Sequence, residues 1–370
     1  MAEILGKEAF LTLIKLGIGH EAPSIPESID WKRVKALAEK QGLSAIVFDG
    51  VLWLSDRDLL TDGRQIDSKF KMLWIGSYIQ LYEHKYKDYK TRIGQLAYFY
   101  NTHGFKLMVL KGYGLSLNYP IPSHRPVGDI DIWAFGKYKE ADAALNQELG
   151  IQIDNSHHHH TVFSFMDYPV ENHYDWVNVY EHKSSAEIEK IFKQLAMDDS
   201  NFIEIDSQRV YLPSPNLHAL FLLRHSLSHF ASTSMTIRQL LDWAFFVEKH
   251  KDKINWAWLL KTMEQFHMTD FFMCLNHICI KRLGFSKDIF PPVVLPASSG
   301  DSLPERILND MLMPEFSEES PRSKGVVARV LFKYRRWRAN GWKHHLCYKE
   351  SMFTSFFVSA WAHLMKPSSI

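Results

Sequence analysis

At 370 residues the chain has room for two or three core-bearing units. An apolar share of 46% beside 23% charged residues excludes a disordered or low-complexity chain, and a net charge of +1 excludes a global field drawing it to nucleic acid or an anionic membrane. Three scattered cysteines (Cys274, Cys279, Cys347) exclude a disulfide framework or a zinc knuckle and suit a reducing cytoplasm.

The first hundred residues read as helices. The N-terminus has apolar residues at helical spacing broken by Glu3, Lys7 and Glu8, and it lacks the basic start and small-residue cleavage site of a signal peptide. A helix is expected over Ile25–Lys40, stopping near Gly42, and a longer one over Phe70–Phe99, ended by Gly104.

From Phe105 the pattern changes. FKLMVLK is a short apolar run closed by Gly112-Tyr113-Gly114, which reads as a buried strand with a tight turn, and Tyr113 to Tyr119 has room for about two helical turns before Pro120. DIDIWAF alternates carboxylates with Ile and Trp, a period-two strand. Lys137–Leu149 is an amphipathic helix closed by Gly150, and two strand-like runs separated by Pro169 follow, as in an antiparallel pair.

After Leu212 the chain returns to helix. Ser214-Pro215 is a capped start. Another helix starts near Thr233-Ser234, and a third near Ile254-Asn255-Trp256, a triplet that echoes Ile29-Asp30-Trp31. Residues 285–325 are expected to be the least ordered of this half. SMFTSFFVSAWAHLM (351–365) falls short of the roughly 18–20 apolar residues of a membrane span and reads as a buried helix. The class expected is α+β: an N-terminal helical region (1–103), a small mixed-sheet core (104–212) and a C-terminal helical region (213–370).

Asp129 and Asp131 sit two apart on the expected strand, so both carboxylates leave one face about 7 Å apart at the Cα level. Ile130 and Ile132 would bury the other face. A divalent cation between the carboxylates removes their repulsion, and oxygen-only ligands select Mg²⁺ or Mn²⁺. Upstream, Gly112 lets backbone approach a phosphate at a helix start, with Lys111 and Arg125 adding positive charge beside it. Paired aspartates, an anion-binding turn and an arginine are what nucleotide transfer from a metal-bound triphosphate requires.

LKGYGLSLNYPIPSHRPVGDIDIW resembles the core of the uncharacterised bacterial nucleotidyltransferases, a branch of the polymerase-beta-type superfamily. Leu110-Lys111-Gly112 follows the branch where the superfamily shows Gly-Ser, Arg125 matches an arginine before the aspartates, and Asp129-Ile130-Asp131 matches the D-x-D strand. The resemblance implies a third acidic ligand at Glu171, from the acidic-x-His phrase Glu171-Asn172-His173. It also implies a helix pair at Arg238 and Asp242 and a helix histidine at His225. The activity implied is transfer of a nucleoside monophosphate from an NTP, with Mg²⁺ or Mn²⁺, to an acceptor hydroxyl. A protein side chain, an RNA end and a small sugar or antibiotic all suit such a core. A metal-dependent phosphohydrolase or nuclease, or a catalytically idle nucleotide-binding module, are the rival readings.

Each of these residues has a plainer role available. Asp167 and Asp175 compete with Glu171 for third ligand, Asp175 by sharing its face. Lys111 can be a solvated strand-end lysine, and Arg238–Asp242 an ordinary helical ion pair. His225 and His229, four apart on a helix, are expected to be packed rather than ligating. In the run His157–His160, strand alternation would bring His158 and His160 to the cleft, and no zinc site is expected there. Residues 322–349 hold nine lysines and arginines and no acid, with Tyr334, Trp337, Trp342 and Tyr348 interleaved. That pattern fits either a nucleic-acid track or a solvated helix face over core aromatics, and composition favours the second.

Overall fold

The computed structural model describes residues 2–180, 182–292, 294–295, 302–318 and 326–355. The chain begins with α1 (Ala2–Gly17), α2 (Trp31–Gln41) and α3 (Ser44–Ser55). α1 and α3 cross at backbone contact: a Cβ on Gly17 would stand 1.9 Å from the Ile46 oxygen, and one on Gly50 2.2 Å from the Leu13 oxygen. α2 starts at Trp31 rather than Ile25, because Asp30 is its cap and accepts from the Arg33 N–H; left-handed Gly42 ends it as expected. The second expected helix is α4 (Ser68–Trp74) running through one π-helical turn, Ile75–Ile79, into α5 (Gln80–Thr102).

The sheet has six strands: β1 (Met108–Val109), β2 (Ile130–Trp133), β3 (His160–Phe165), β4 (Tyr168–His173), β5 (Phe202–Ile205) and β6 (Gln208–Tyr211). They lie in the order β3-β4-β2-β1-β6-β5, with β2/β4 and β1/β6 parallel and the other pairs antiparallel. The fold is thus α+β, with a mixed sheet flanked by helices. One turn of helix, α6 (Tyr113–Ser116), follows β1, shorter than the two turns expected. α7 (Tyr138–Leu149) follows β2 and ends at left-handed Gly150. α8 (Lys183–Leu195) and the β5–β6 hairpin lie outside the sequence expectation, and β6 supplies the neighbour of β1. The β3–β4 turn is not at Pro169, which lies inside β4. Met166 and Asp167 make it, both at positive φ (48° and 69°), as a two-residue hairpin loop demands.

α9 (Pro215–Ser232), α10 (Ile237–His250), α11 (Trp256–Gln265) and α12 (Thr269–Leu283) follow. Ser214 is the residue before α9, but its hydroxyl makes no capping bond; Thr236, with Gln239, forms a reciprocal capping box for α10. The echoed triplets are two equivalent caps: the Asn255 side chain accepts from Trp258 N–H as Asp30 does from Arg33. α13 (Ser302–Leu312) forms inside the stretch expected to be irregular, and α14 (Val326–Ala339) and α15 (Gly341–Cys347) follow, with residues 352–355 also helical. Residues 356–365 of the expected C-terminal helix lie outside the described residues.

Period two divides the sheet's side chains between two cores. Val109, Ile130, Ile132 and Val170 face Tyr89, Ile93, Leu96 and Leu145 from α5 and α7. Met108, Leu110, Trp133 and Tyr211 face the larger core, where α1–α3 meet α9–α13. The first and last helices therefore share a core on the sheet face that also carries Asp131. Among the described residues, no helix is long and apolar enough to cross a membrane.

Candidate active site

β1 ends where the Leu110 N–H donates to the Asp131 backbone carbonyl (3.0 Å), which places Lys111 beside the middle of β2. Parallel register pairs Asp131 with Glu171 and Trp133 with His173; antiparallel register pairs His160 with His173. All lie on one sheet face, so two carboxylates and two imidazoles converge. Asp131, Glu171 and His173 each offer a ligand atom within 4.8 Å of the others, as do His159, His160 and His173. These side chains line a cleft of about 660 Å³ whose far wall is α9 and the start of α10.

Lys111 Nζ lies 2.6 Å from Asp131 Oδ1, and His173 Nε2 is 3.3 Å from the same oxygen and 3.5 Å from Glu171 Oε2. Burial would push the Asp131 carboxyl up, but Lys111 and His173 outweigh it and hold it well below the usual range. The His173 contact holds Glu171 low as well, so both carboxylates are ionised at neutral pH. Burial opposes charge on Lys111 and His173, yet the carboxylates hold both above their ordinary values. Burial pushes His159 down to about 2 and His160 to about 4, so these two imidazoles are neutral.

All eight residues singled out from the sequence line this one cleft: Lys111, Gly112, Arg125, Asp129, Asp131, Glu171, Arg238 and Asp242. Their arrangement differs in places from the expectation. Asp129 precedes β2 rather than lying on it; it is exposed, its carbonyl takes the Tyr89 hydroxyl at 2.8 Å, and it falls outside the three-residue ligand groups. Gly112 has φ +52°, and a Cβ there would meet the Tyr89 hydroxyl at 2.3 Å, so the fold itself requires glycine. The one-turn helix after it offers little dipole.

Arg125 is buried and clamped. Its Nε and Nη2 donate to Asp242 at 2.7 and 2.9 Å, and Nη1 donates to the carbonyls of Gly112 (3.2 Å) and Pro126 (3.1 Å). Tyr119 adds a 2.6 Å bond to Asp242. Asp242 is thus held by Arg125 rather than by its helical neighbour Arg238, whose Nε is buried with no hydrogen-bond partner.

Two competitors for the third ligand fall away: Asp167 is in the hairpin turn, and Asp175 lies past the end of β4, paired with Lys193. His173 is a cluster member that the sequence expectation does not include, although it shares Glu171's face at period two. His159 lines the cleft in place of the expected His158, because residues 157–159 form a bend and alternation begins only at His160. Tyr89 and Tyr119 carry no sequence signal for their roles. His225 and His229 line the cleft with rings 4.4 Å apart. In the basic segment, Lys343 is fully buried against Asp310 (2.6 Å), Trp342 packs on Phe230, and Tyr348 on His182, while Tyr334 is exposed. That part of the segment is core. Residues 322–325 lie outside the described residues.

Ionised carboxylates, imidazoles and cationic side chains meeting on one sheet face define a candidate metal- and phosphate-handling site. The chain belongs to the uncharacterised nucleotidyltransferase family, whose model matches residues 27–284, a span containing every residue of the cleft. Nucleotidyl transfer is the activity class that membership carries. Neither a curated protein nor a solved structure matches the chain.

Proposed function

We propose that the protein moves a nucleoside monophosphate from an NTP to an acceptor hydroxyl and releases pyrophosphate, as polymerase-beta-type nucleotidyltransferases do. The observation that carries this reading is the meeting of Asp131, Glu171 and His173 within 4.8 Å beside Lys111, in a chain of this family. The donor set fits a divalent cation: two ionised carboxylates face each other across paired strands, and Asp129 stands at the rim. Asp131 and Glu171, with Asp129, would hold Mg²⁺ or Mn²⁺; the imidazole of His173 in the group favours Mn²⁺ more than an oxygen-only set does. Such an ion, when bound, acts as a Lewis acid on phosphoryl oxygens.

The remaining roles fall to the chain's own side chains. Lys111 and Arg238 are the cations offered to the triphosphate, because Arg125 is committed to Asp242 and to the Gly112 carbonyl. Arg125 and Asp242 position the turn instead of touching phosphate. Glu171, ionised beside the cleft, accepts the proton of the acceptor hydroxyl. The acceptor faces α9, where His225, Ser228, His229 and Ser232 line the wall.

The test is incubation with each α-labelled NTP, Mg²⁺ or Mn²⁺, and cell extract, followed by fractionation for label. The parent protein should label one acceptor fraction, and Asp131→Asn should abolish labelling while the variant stays folded. Full labelling by both Asp129→Asn and Asp131→Asn, or labelling without a metal, would overturn the assignment.

A further inference from the structure

We propose that His159, His160 and His173 form a three-imidazole site for a borderline transition-metal ion, Zn²⁺ first among them, which shares His173 with the carboxylate group but adds two ligands of its own. Each offers a nitrogen, and the three nitrogens lie within 4.8 Å of one another. A tetrahedral zinc site with bonds of 2.0–2.1 Å has its ligand atoms about 3.3 Å apart, so modest ring rotations close the group. The rings already crowd one another, with centroids 4.4 Å (His159–His160), 5.2 Å (His160–His173) and 5.6 Å (His159–His173) apart.

The site is built by the fold rather than left to a loose run of histidines. His160 and His173 are cross-strand partners on β3 and β4, which fixes two rings on one face. The bend carrying His159 is pinned to the end of β4: its carbonyl accepts from the Tyr174 and Asp175 N–H groups at 3.0 and 3.1 Å, and the Tyr174 hydroxyl donates to the His157 carbonyl at 2.8 Å. The Nδ1 atoms of His159, His160 and His173 are all buried and take no hydrogen bond. Buried polar atoms without partners are costly, and each of these three rings carries one. Imidazole nitrogens select zinc and its neighbours over Mg²⁺, which the carboxylate group suits better. Three protein ligands leave the fourth position open to water or substrate from the cleft.

The test uses the full chain, freed of metal with a chelator and desalted, titrated with Zn²⁺ against a chromophoric chelator and with Co²⁺ by visible absorption. The parent should take up one tight Zn²⁺ and show the absorption of tetrahedral Co²⁺. His159→Gln, which keeps the side-chain bulk and lies outside the carboxylate group, should weaken zinc binding at least about tenfold, since losing even a supporting contact costs that much. Asp129→Asn, at a carboxylate outside both three-residue groups, should bind zinc as the parent does, and so should the double variant His157→Ala with His158→Ala. Circular dichroism confirms that each variant is folded; if His159→Gln is not, His160→Gln takes its place. Parent-like zinc binding in the folded histidine variant overturns the site, as does the absence of zinc uptake by the parent. Loss of binding in Asp129→Asn places the ion among the carboxylates, and loss in the double variant places it on His157 and His158; either result also overturns it.

Discussion

Arg125 and Asp242, 117 residues apart in the chain, meet through two parallel hydrogen bonds of 2.7 and 2.9 Å at buried side chains. This clamp ties the loop before β2 to α10, and through the Gly112 carbonyl it also holds the turn after β1. It therefore joins two walls of the cleft, which both residues line.

Removing one partner of such a pair strands the other charge away from water. Asp242→Asn and Arg125→Ala are each expected to lower the unfolding free energy by roughly 3–5 kcal/mol. Arg125→Lys should not restore it, because an ammonium cannot reproduce the two-pronged contact. Urea denaturation of the three variants measures this, and a loss below about 1 kcal/mol in Asp242→Asn would show that the clamp contributes little.

The turn at Gly112 gives a second expectation. A side chain there meets both a left-handed backbone and the Tyr89 hydroxyl, so Gly112→Ala should cost roughly 1–3 kcal/mol in stability. Adding Tyr89→Phe removes the clashing oxygen but leaves the backbone strain, and the double variant should recover part of the loss. Thermal melts of the single and double variants decide it. A Gly112→Ala protein as stable as the parent would show that the turn relaxes.

Glu189 supplies a pH dependence next to the cleft. Its carboxylate accepts from the N–H groups of Trp176 (3.1 and 2.9 Å) and Val177 (3.0 Å), pinning a loop that lines the cleft. Burial, with Asp175 nearby, pushes its pKa up to about 7. A raised carboxyl favours the folded state at low pH, and that contribution is lost as pH climbs from the ordinary glutamate range through about 7. At about 1.4 kcal/mol for each pH unit, the ceiling is a few kcal/mol. Between pH 5.5 and 8.5 the parent should lose more stability than Glu189→Gln, whose amide oxygen still accepts a backbone bond. Equal losses in denaturant midpoint would assign the pH response to other groups.

Much of this protein is determined locally and can be read from the chain. Apolar periodicity marks most helices of the two ends, left-handed glycines 42 and 150 stop α2 and α7 as expected, and alternation in DIDIW buries Ile130 and Ile132 opposite Asp131. The turn glycine, the basic residues around it and the aspartates are also visible, because each is a short-range pattern. Local signals fail where the answer depends on a distant neighbour. Sheet order brings β4 beside β2, and only that register sets His173 and Glu171 around Asp131. The bend at 157–159, pinned by Tyr174, turns His159 into the cleft where simple alternation points to His158. Arg125 sits close to the aspartates in sequence, yet its partner Asp242 arrives on a helix folded over from the far end of the match. A buried guanidinium binds whatever carboxylate the fold delivers, and tertiary structure alone decides which one that is.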